Sequence, residues 1–253
     1  MELKGTVAVV TGGGTGIGRA VAESLARRGA AAVVINYSRS RAEAKQTAAA
    51  LIALGTQGIA FRADVSRDNE VRHMVSETIA RFGRLDVLVN NAGTTRHIPL
   101  ADLDGLTADV WREVLSTNLM GTFYCSRACG PELRKARGAI VNVASVAGYR
   151  ASGSSIAYGV SKAAVLQLTR GLAIALAPEV RVNAIAPGAV ATRWFRQVDP
   201  VRAAEAERAT AAATPLHDIA MPIHCAQAVI GLLESDFVTG EVITVDGGKH
   251  LLY

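Results

Sequence analysis

Val7-Ala8-Val9-Val10-Thr11-Gly12-Gly13-Gly14-Thr15-Gly16-Ile17-Gly18-Arg19 decides how this chain folds. Four apolar residues run into a turn with glycines at 12, 13, 14, 16 and 18, and an amphipathic stretch, Ile17–Arg28, follows at once. A strand, a glycine turn and a helix in that order need residues without Cβ, because the backbone must turn sharply and lie close to whatever occupies the turn. The N–H groups and the positive dipole end of the helix then face that space, which suits a pyrophosphate. The spacing departs from G-x-G-x-x-G, since no three glycines fall at i, i+2 and i+5.

The same rhythm continues outward. Short apolar runs at Val7–Val10, Ala32–Ile35, Gly58–Phe61, Val87–Val89, Ala139–Val143, Val180–Ile185 and Val242–Val245 alternate with helical patterns. The clearest of these are Arg41–Leu54, Asn69–Phe82, Thr122–Lys135 and Ala157–Leu176. Alternation of this kind predicts right-handed βαβ crossovers. The expected architecture is α/β, a Rossmann-type doubly wound parallel sheet of about seven strands with helices on both faces. No Pro/Gly/Ser-rich linker interrupts the pattern, so one domain is expected over residues 1–253. The segment 189–222 breaks the alternation, with Ala-rich helical text around Val201–Ala213, and reads either as a lid over a site or as a peripheral cap on the sheet.

Composition narrows the classes. Half of the 253 residues are hydrophobic, 19% are charged and 5% are aromatic, which suits thin helices packed on a parallel sheet. The net charge is +5, but Lys and Arg are scattered among acidic residues, so a nucleic-acid partner is not expected. No apolar run approaches the ~20 residues of a membrane span. Three cysteines show no framework spacing, which points to buried thiols in a reducing cytoplasm. Cys125 and Cys129 stand at i and i+4 without His or carboxylate partners at ligand spacing, and no metal site is expected.

Further motifs follow the glycine turn in order. Asn90-Asn91-Ala92-Gly93 closes the fourth run, Asn118 lies in Asn118-Leu119-Met120-Gly121, and Ser145 precedes Tyr158-Gly159-Val160-Ser161-Lys162 by thirteen residues. Pro187-Gly188 follows the sixth run, and Val245-Asp246-Gly247-Gly248 lies near the C-terminus. With Thr-Gly-x-x-x-Gly-x-Gly at the start, this sequence resembles the short-chain dehydrogenase/reductase family over nearly its whole length. The overall pattern is nearest the 3-oxoacyl-[acyl-carrier-protein] reductase branch.

The resemblance implies an oxidoreductase that moves a hydride between a nicotinamide and a carbonyl or secondary alcohol, with Asn118, Ser145, Tyr158 and Lys162 as catalytic residues. Tyr158 would be the proton donor, and Ser145 would hold the substrate oxygen. Lys162, one helical turn from Tyr158, would lower the phenol pKa and bind the nicotinamide ribose. Asn118 would hold a proton-relaying water. Cofactor contacts are implied for Gly12, Gly14, Thr15, Gly16, Ile17 and Gly18 at the phosphates, and for Asp64 and Val65 at the adenine. Asn91, Ala92, Gly93, Pro187, Gly188, Val190 and Thr192, with Tyr158 and Lys162, would border the nicotinamide half.

The second run ends Asn36-Tyr37-Ser38-Arg39 with no carboxylate for a ribose 2′-hydroxyl. Ser38 and Arg39 could instead bind a 2′-phosphate, with Arg41 and Lys45 adding positive potential, so NADP(H) is expected over NAD(H). The alternative is that Arg39 and Arg41 only solvate a helix start. The partner is expected to be a small carbonyl or alcohol, with an acyl-carrier-protein thioester as one candidate, and the assembly a homotetramer by resemblance. Two departures stand against the reductase branch: Ala220-Met221-Pro222-Ile223-His224-Cys225-Ala226 replaces Gly-x-Pro-Glu-Glu, and Asp102–Thr107 is long. An NAD(H)-dependent alcohol, sugar or steroid-type dehydrogenase, or a nucleotide-sensing regulator without turnover, are the other readings.

Overall fold

Alternate residues of the strands face opposite ways, and this sets the layers. The computed structural model describes residues 1–196 and 203–252. Strands β1 (Val7–Val10), β2 (Ala32–Tyr37), β3 (Gln57–Arg62), β4 (Val87–Asn90), β5 (Ala139–Val143), β6 (Arg181–Pro187) and β7 (Val242–Val245) form one sheet. Its order is β3-β2-β1-β4-β5-β6-β7, and every pairing is parallel. Ala8, Val10, Val33 and Ile35 pack on one side against Val21 and Leu25 of α1 (Gly16–Arg27), Leu51 of α2 (Arg41–Ala53) and Ile230 of α9 (Pro222–Glu234). Val9, Val34, Leu88 and Ile140 pack on the other side against Met74 of α3 (Asp68–Phe82), Leu133 of α5 (Gly121–Ala136) and Leu172 of α6 (Ile156–Leu176). Both sheet faces are covered, so the central strands read as continuous apolar runs. Truncating a fully buried side chain such as Leu25 removes roughly 2–5 kcal/mol.

The expected strands all form, with β2 and β3 longer at their C-terminal ends and β6 displaced toward Pro187. The helix expected from Thr122 begins earlier. α4 (Ala108–Leu115) continues through a π-helical turn at Ser116–Met120 directly into α5. Asn118 sits in that turn, inside a continuous helical run. Between Pro187 and α9, α7 (Arg193–Arg196) and α8 (Ala203–Ala212) lie outside the sheet, and Val190 forms a parallel bridge to Ala220. Val201 and Arg202, the start of the Ala-rich text, lie outside the described residues.

α9 explains one departure in the sequence. Pro222 takes the first helical position, where its missing N–H costs nothing, and His224 Nδ1 accepts a 3.2 Å hydrogen bond from the Met221 N–H. A histidine thus does the reciprocal capping that an acidic residue does elsewhere.

Candidate functional site

The strand order reverses between β1 and β4, whose loops part and leave a crevice at the C-terminal edge of the sheet. A cleft of about 1500 Å³ opens there, bordered by Gly12, Gly16, Arg39, Asp64, Gly93, Ser145, Tyr158, Lys162 and Thr192.

Glycines shape one end. Gly12 and Gly16 have φ of +60° and +54°, the left-handed region where a side chain would strain the backbone. A Cβ on Gly18 would lie 2.5 Å from Asn91 Nδ2 and 2.6 Å from the Gly12 carbonyl. The first turn of α1 carries no acidic residue, and Thr15 at its N-cap makes no side-chain capping bond. Its leading N–H groups are therefore free for an anion. The cradle fits a dinucleotide pyrophosphate.

Residues outside the glycine text hold the loop in place. Thr11 Oγ1 accepts from the N–H groups of Asn91 and Ala92 at 2.9 and 3.0 Å. Asn91 Nδ2 donates to the carbonyls of Thr11 and Gly12 at 3.0 and 3.1 Å. Asn36 Nδ2 donates to Ala63 at 2.9 Å, and its carbonyl accepts from Gly13 N–H at 3.1 Å. Asn91 borders the cleft, as a cofactor contact requires, and its amide also ties the β4 loop to the β1 loop. Thr11 and Asn36 were not singled out from the sequence, because a Thr or Asn at a strand end carries no signal without its partners.

At the adenosine end, Ser38 and Arg39 are exposed at the tip of β2, and no hydrogen bond or ion pair among the described residues engages the Arg39 side chain. Asp64 Oδ1 accepts from Ser66 N–H and Oγ at 3.0 and 2.7 Å. Val65 is buried beside it.

The other end holds the reactive groups. Ser145 follows β5, and its Oγ accepts from Ala147 N–H at 3.1 Å and donates to the Pro187 carbonyl at 3.4 Å. α6 is capped by Ser155, whose Oγ accepts from Tyr158 N–H, so Tyr158 and Lys162 share one face of its first turns. Tyr158 hydrogen-bonds Ser145, but burial pushes its phenol above the usual range. Lys162 is buried, its Nζ donates to the Val143 carbonyl at 2.8 Å, and burial brings its pKa down to about 8. The ammonium lies 5.7 Å from the Tyr158 ring centroid and directs one of its protons at a backbone carbonyl, while desolvation is the largest influence on the phenol.

Asn118 joins the loop after β4 to α6. Its Oδ1 accepts from Thr94 N–H at 2.8 Å, and its Nδ2 donates to the Thr94 carbonyl at 3.0 Å and Ser161 Oγ at 2.9 Å. Both amide protons are thus committed to protein, and the Oδ1 keeps one acceptor position beyond its bond to Thr94. Gly93 brings the groups together: a Cβ there would stand 3.5 Å from Asn118 Oδ1 and 3.8 Å from Lys162 Nζ. Pro187 and Gly188 end β6 at the same edge, Val190 is buried behind them, and Thr192 passes 3.4 Å from the missing Cβ of Gly16. Gly14, Thr15 and Ile17 line the cleft at the phosphate loop, and Gly14 also lies close to Ala44 of α2, where a Cβ would clash with the Ala44 backbone. His97 borders the cleft; His217 and His224 do not.

Cys125, Cys129 and Cys225 are buried, reduced thiols whose pKa values burial raises. Among the described residues no cluster of His, Cys, Asp or Glu is arranged to hold a metal ion, and no helix is long and apolar enough to cross a membrane.

Comparisons with known proteins agree with this geometry. A family model described as enoyl-(acyl carrier protein) reductase matches residues 12–250. A Streptomyces violaceoruber protein named as ketoacyl reductase 2 of the granaticin polyketide synthase is 46% identical over 250 residues, 97% of this chain and 96% of that one. L-fucose dehydrogenase from Bos taurus is 35% identical over 98% of this chain and 91% of its own. The crystal structure of a short-chain dehydrogenase/reductase from Burkholderia xenovorans superposes with a TM-score of 0.90 at 35% identity, covering 97% of this chain and 98% of the other.

Proposed function

The chain belongs to the short-chain dehydrogenase/reductase family and is an oxidoreductase acting on CH–OH and C=O groups, and on that premise we propose that it is an NADP(H)-dependent ketoreductase. The observation that carries the reading is the convergence of Ser145, Tyr158 and Lys162 beside the glycine cradle, on the C-terminal edge of β5. A nicotinamide bound in the cleft supplies the hydride. Ser145 Oγ, already hydrogen-bonded to Tyr158, steadies the substrate oxygen. Tyr158 gives its proton to that oxygen as negative charge develops, and its raised pKa keeps the phenol protonated until then. Lys162, held by Val143, sets a positive charge beside the phenol and offers its remaining protons to ribose hydroxyls. Asn118 keeps the β4 loop against α6.

Arg39, exposed and unengaged at the tip of β2 with no carboxylate beside it, supports NADP(H). A 3-oxoacyl thioester is the substrate class we favour, supported by the ketoacyl reductase name of the Streptomyces relative; the family description adds only the acyl carrier protein. The reading also includes a homotetramer, in which α5 and α6 would pack between subunits; Val160 and Ile174 on α6 are exposed in the single chain. The buried free thiols support a reducing, cytoplasmic setting. Absorbance at the reduced-nicotinamide band, with acetoacetyl thioesters, other ketones and alcohols and each of the two cofactors, tests the proposal. Faster turnover of the thioester with NADPH is the expected result, and a preference for NADH or for sugars would overturn the corresponding part.

A further inference from the structure

Three consecutive residues after β6 touch three separate parts of the cleft. Thr192 lies over Gly16 of the phosphate loop. Arg193 Nη1 forms a 2.8 Å ion pair with Glu43 Oε1, 150 residues distant, in the first turn of α2. The Trp194 indole lies against Tyr158, with ring centroids 6.0 Å apart and planes at 49°. Its Cη2 is 3.8 Å from the position a Cβ on Gly93 would take, the same point that stands 3.8 Å from Lys162 Nζ.

The ion pair is too exposed to add much to folding stability, and its contribution is geometric. α7 is a single short helical turn carried by a segment that is bound to the rest of the chain at Val190 by one bridge to Ala220. The Arg193–Glu43 contact fixes the far side of that segment across the cleft, and the next side chain in the turn is then directed at Tyr158. The indole is 40% exposed while facing the proton donor, so a large flat apolar surface stands open beside the reacting oxygen.

We propose that Arg193 and Glu43 are a positioning pair that sets Trp194 as a wall of the substrate pocket, and that among carbonyl substrates of one kind, the acyl part of a thioester included, this wall favours those carrying a flat fused ring over purely acyclic ones. The inference rests on the reading of Tyr158 as the proton donor. A planar ring whose carbonyl meets the Tyr158 hydroxyl lies within stacking distance of the indole, and aromatic pairs favour tilted or offset contacts at such separations. An acyl chain gains no comparable contact from a rigid face and loses rotational freedom against it.

The test is calorimetric titration of 1-tetralone and of 2-decanone, which have equal carbon counts, into protein saturated with NADP+. Ketone and cofactor are both oxidised in this complex, so no hydride moves and affinity is read without turnover. Wild-type protein is expected to bind 1-tetralone more tightly than 2-decanone. Trp194→Ala should weaken 1-tetralone about fivefold and change 2-decanone by less than about twofold, with Trp194→Phe retaining most of the preference. Glu43→Gln and Arg193→Gln should each reduce the preference, and the exchanged pair Glu43→Arg with Arg193→Glu should recover it. Equal binding of the two ketones by the wild type, equal losses in Trp194→Ala, or no recovery in the exchanged pair would overturn the inference. Failure of the Tyr158 reading would show separately, as turnover that survives Tyr158→Phe.

Discussion

The Lys162 ammonium donates a 2.8 Å hydrogen bond to the carbonyl of Val143, the last residue of β5. One hydrogen bond does not replace the hydration of a buried charge, and the pKa falls to about 8. The folded-state value is below the ordinary 10.5, so the unfolded chain binds more protons between the two. Stability should therefore rise as pH increases from about 8 to 10.5, by roughly 3 kcal/mol relative to Lys162→Met. Denaturant unfolding of the two proteins across that range checks the sign. A flat difference would show that Lys162 is not desolvated as described. With NADPH supplied, kcat/KM for the cofactor, which reports groups of the free enzyme, should decline above about pH 8 where the ammonium is needed.

Tyr158→Phe keeps the ring beside Trp194 and removes the proton. Turnover should fall about 10²- to 10⁴-fold while cofactor affinity changes by less than about threefold. Steady-state kinetics with a fluorescence titration of NADPH separate the two. A comparable loss in both would make the residue a cofactor contact first.

Arg39→Gln should weaken NADPH about 10- to 100-fold and leave NADH affinity unchanged, the effect of one charge-assisted contact to a 2′-phosphate. Parallel titrations with the two cofactors measure it. Equal weakening of both would sink the assignment of Arg39.

Asn118→Ala strands the part-buried Thr94 N–H and removes one partner of buried Ser161 Oγ, which keeps its bond to the Tyr158 carbonyl. Destabilisation of about 1–3 kcal/mol is expected, together with a fall in turnover as the β4 loop loosens from α6. Thermal unfolding and kinetics on the same preparation test this. Full activity in a destabilised protein would confine Asn118 to a scaffold role.

Gly18→Ala poses opposed effects. Alanine within a helix favours folding by about 1 kcal/mol over glycine. Here its Cβ would meet Asn91 Nδ2 at 2.5 Å and the Gly12 carbonyl at 2.6 Å. Backbone cannot yield there without opening the loop, so a net loss of about 1–3 kcal/mol and of cofactor binding is expected. Calorimetric unfolding without ligand isolates the folding part.

Legibility differed between the elements of the chain. The alternation of apolar runs with amphipathic stretches placed all seven strands to within a few residues, because a strand buried on both faces must be apolar along its length. The helical run around Asn118 was less visible. A π-turn adds one residue to a helix without changing its composition, so the join of α4 to α5 has no mark in the sequence. Thr11 and Asn36 hold the glycine loop through partners tens of residues away, and only those partners give them meaning.

The sequence by itself determined the family, the order of the motifs, the glycine turn and the Tyr158–Lys162 pair, since each follows from local spacing or from chemistry carried by a single side chain. The tertiary structure decided how those groups act. It committed the Asn118 and Asn91 amides to backbone partners, buried Lys162 against Val143, and laid Trp194 over Tyr158 by pairing Arg193 with Glu43. The reason is physical: hydrogen bonding, desolvation and ring contact depend on distances between residues far apart in the chain, and those distances exist only once the sheet and its helices have packed.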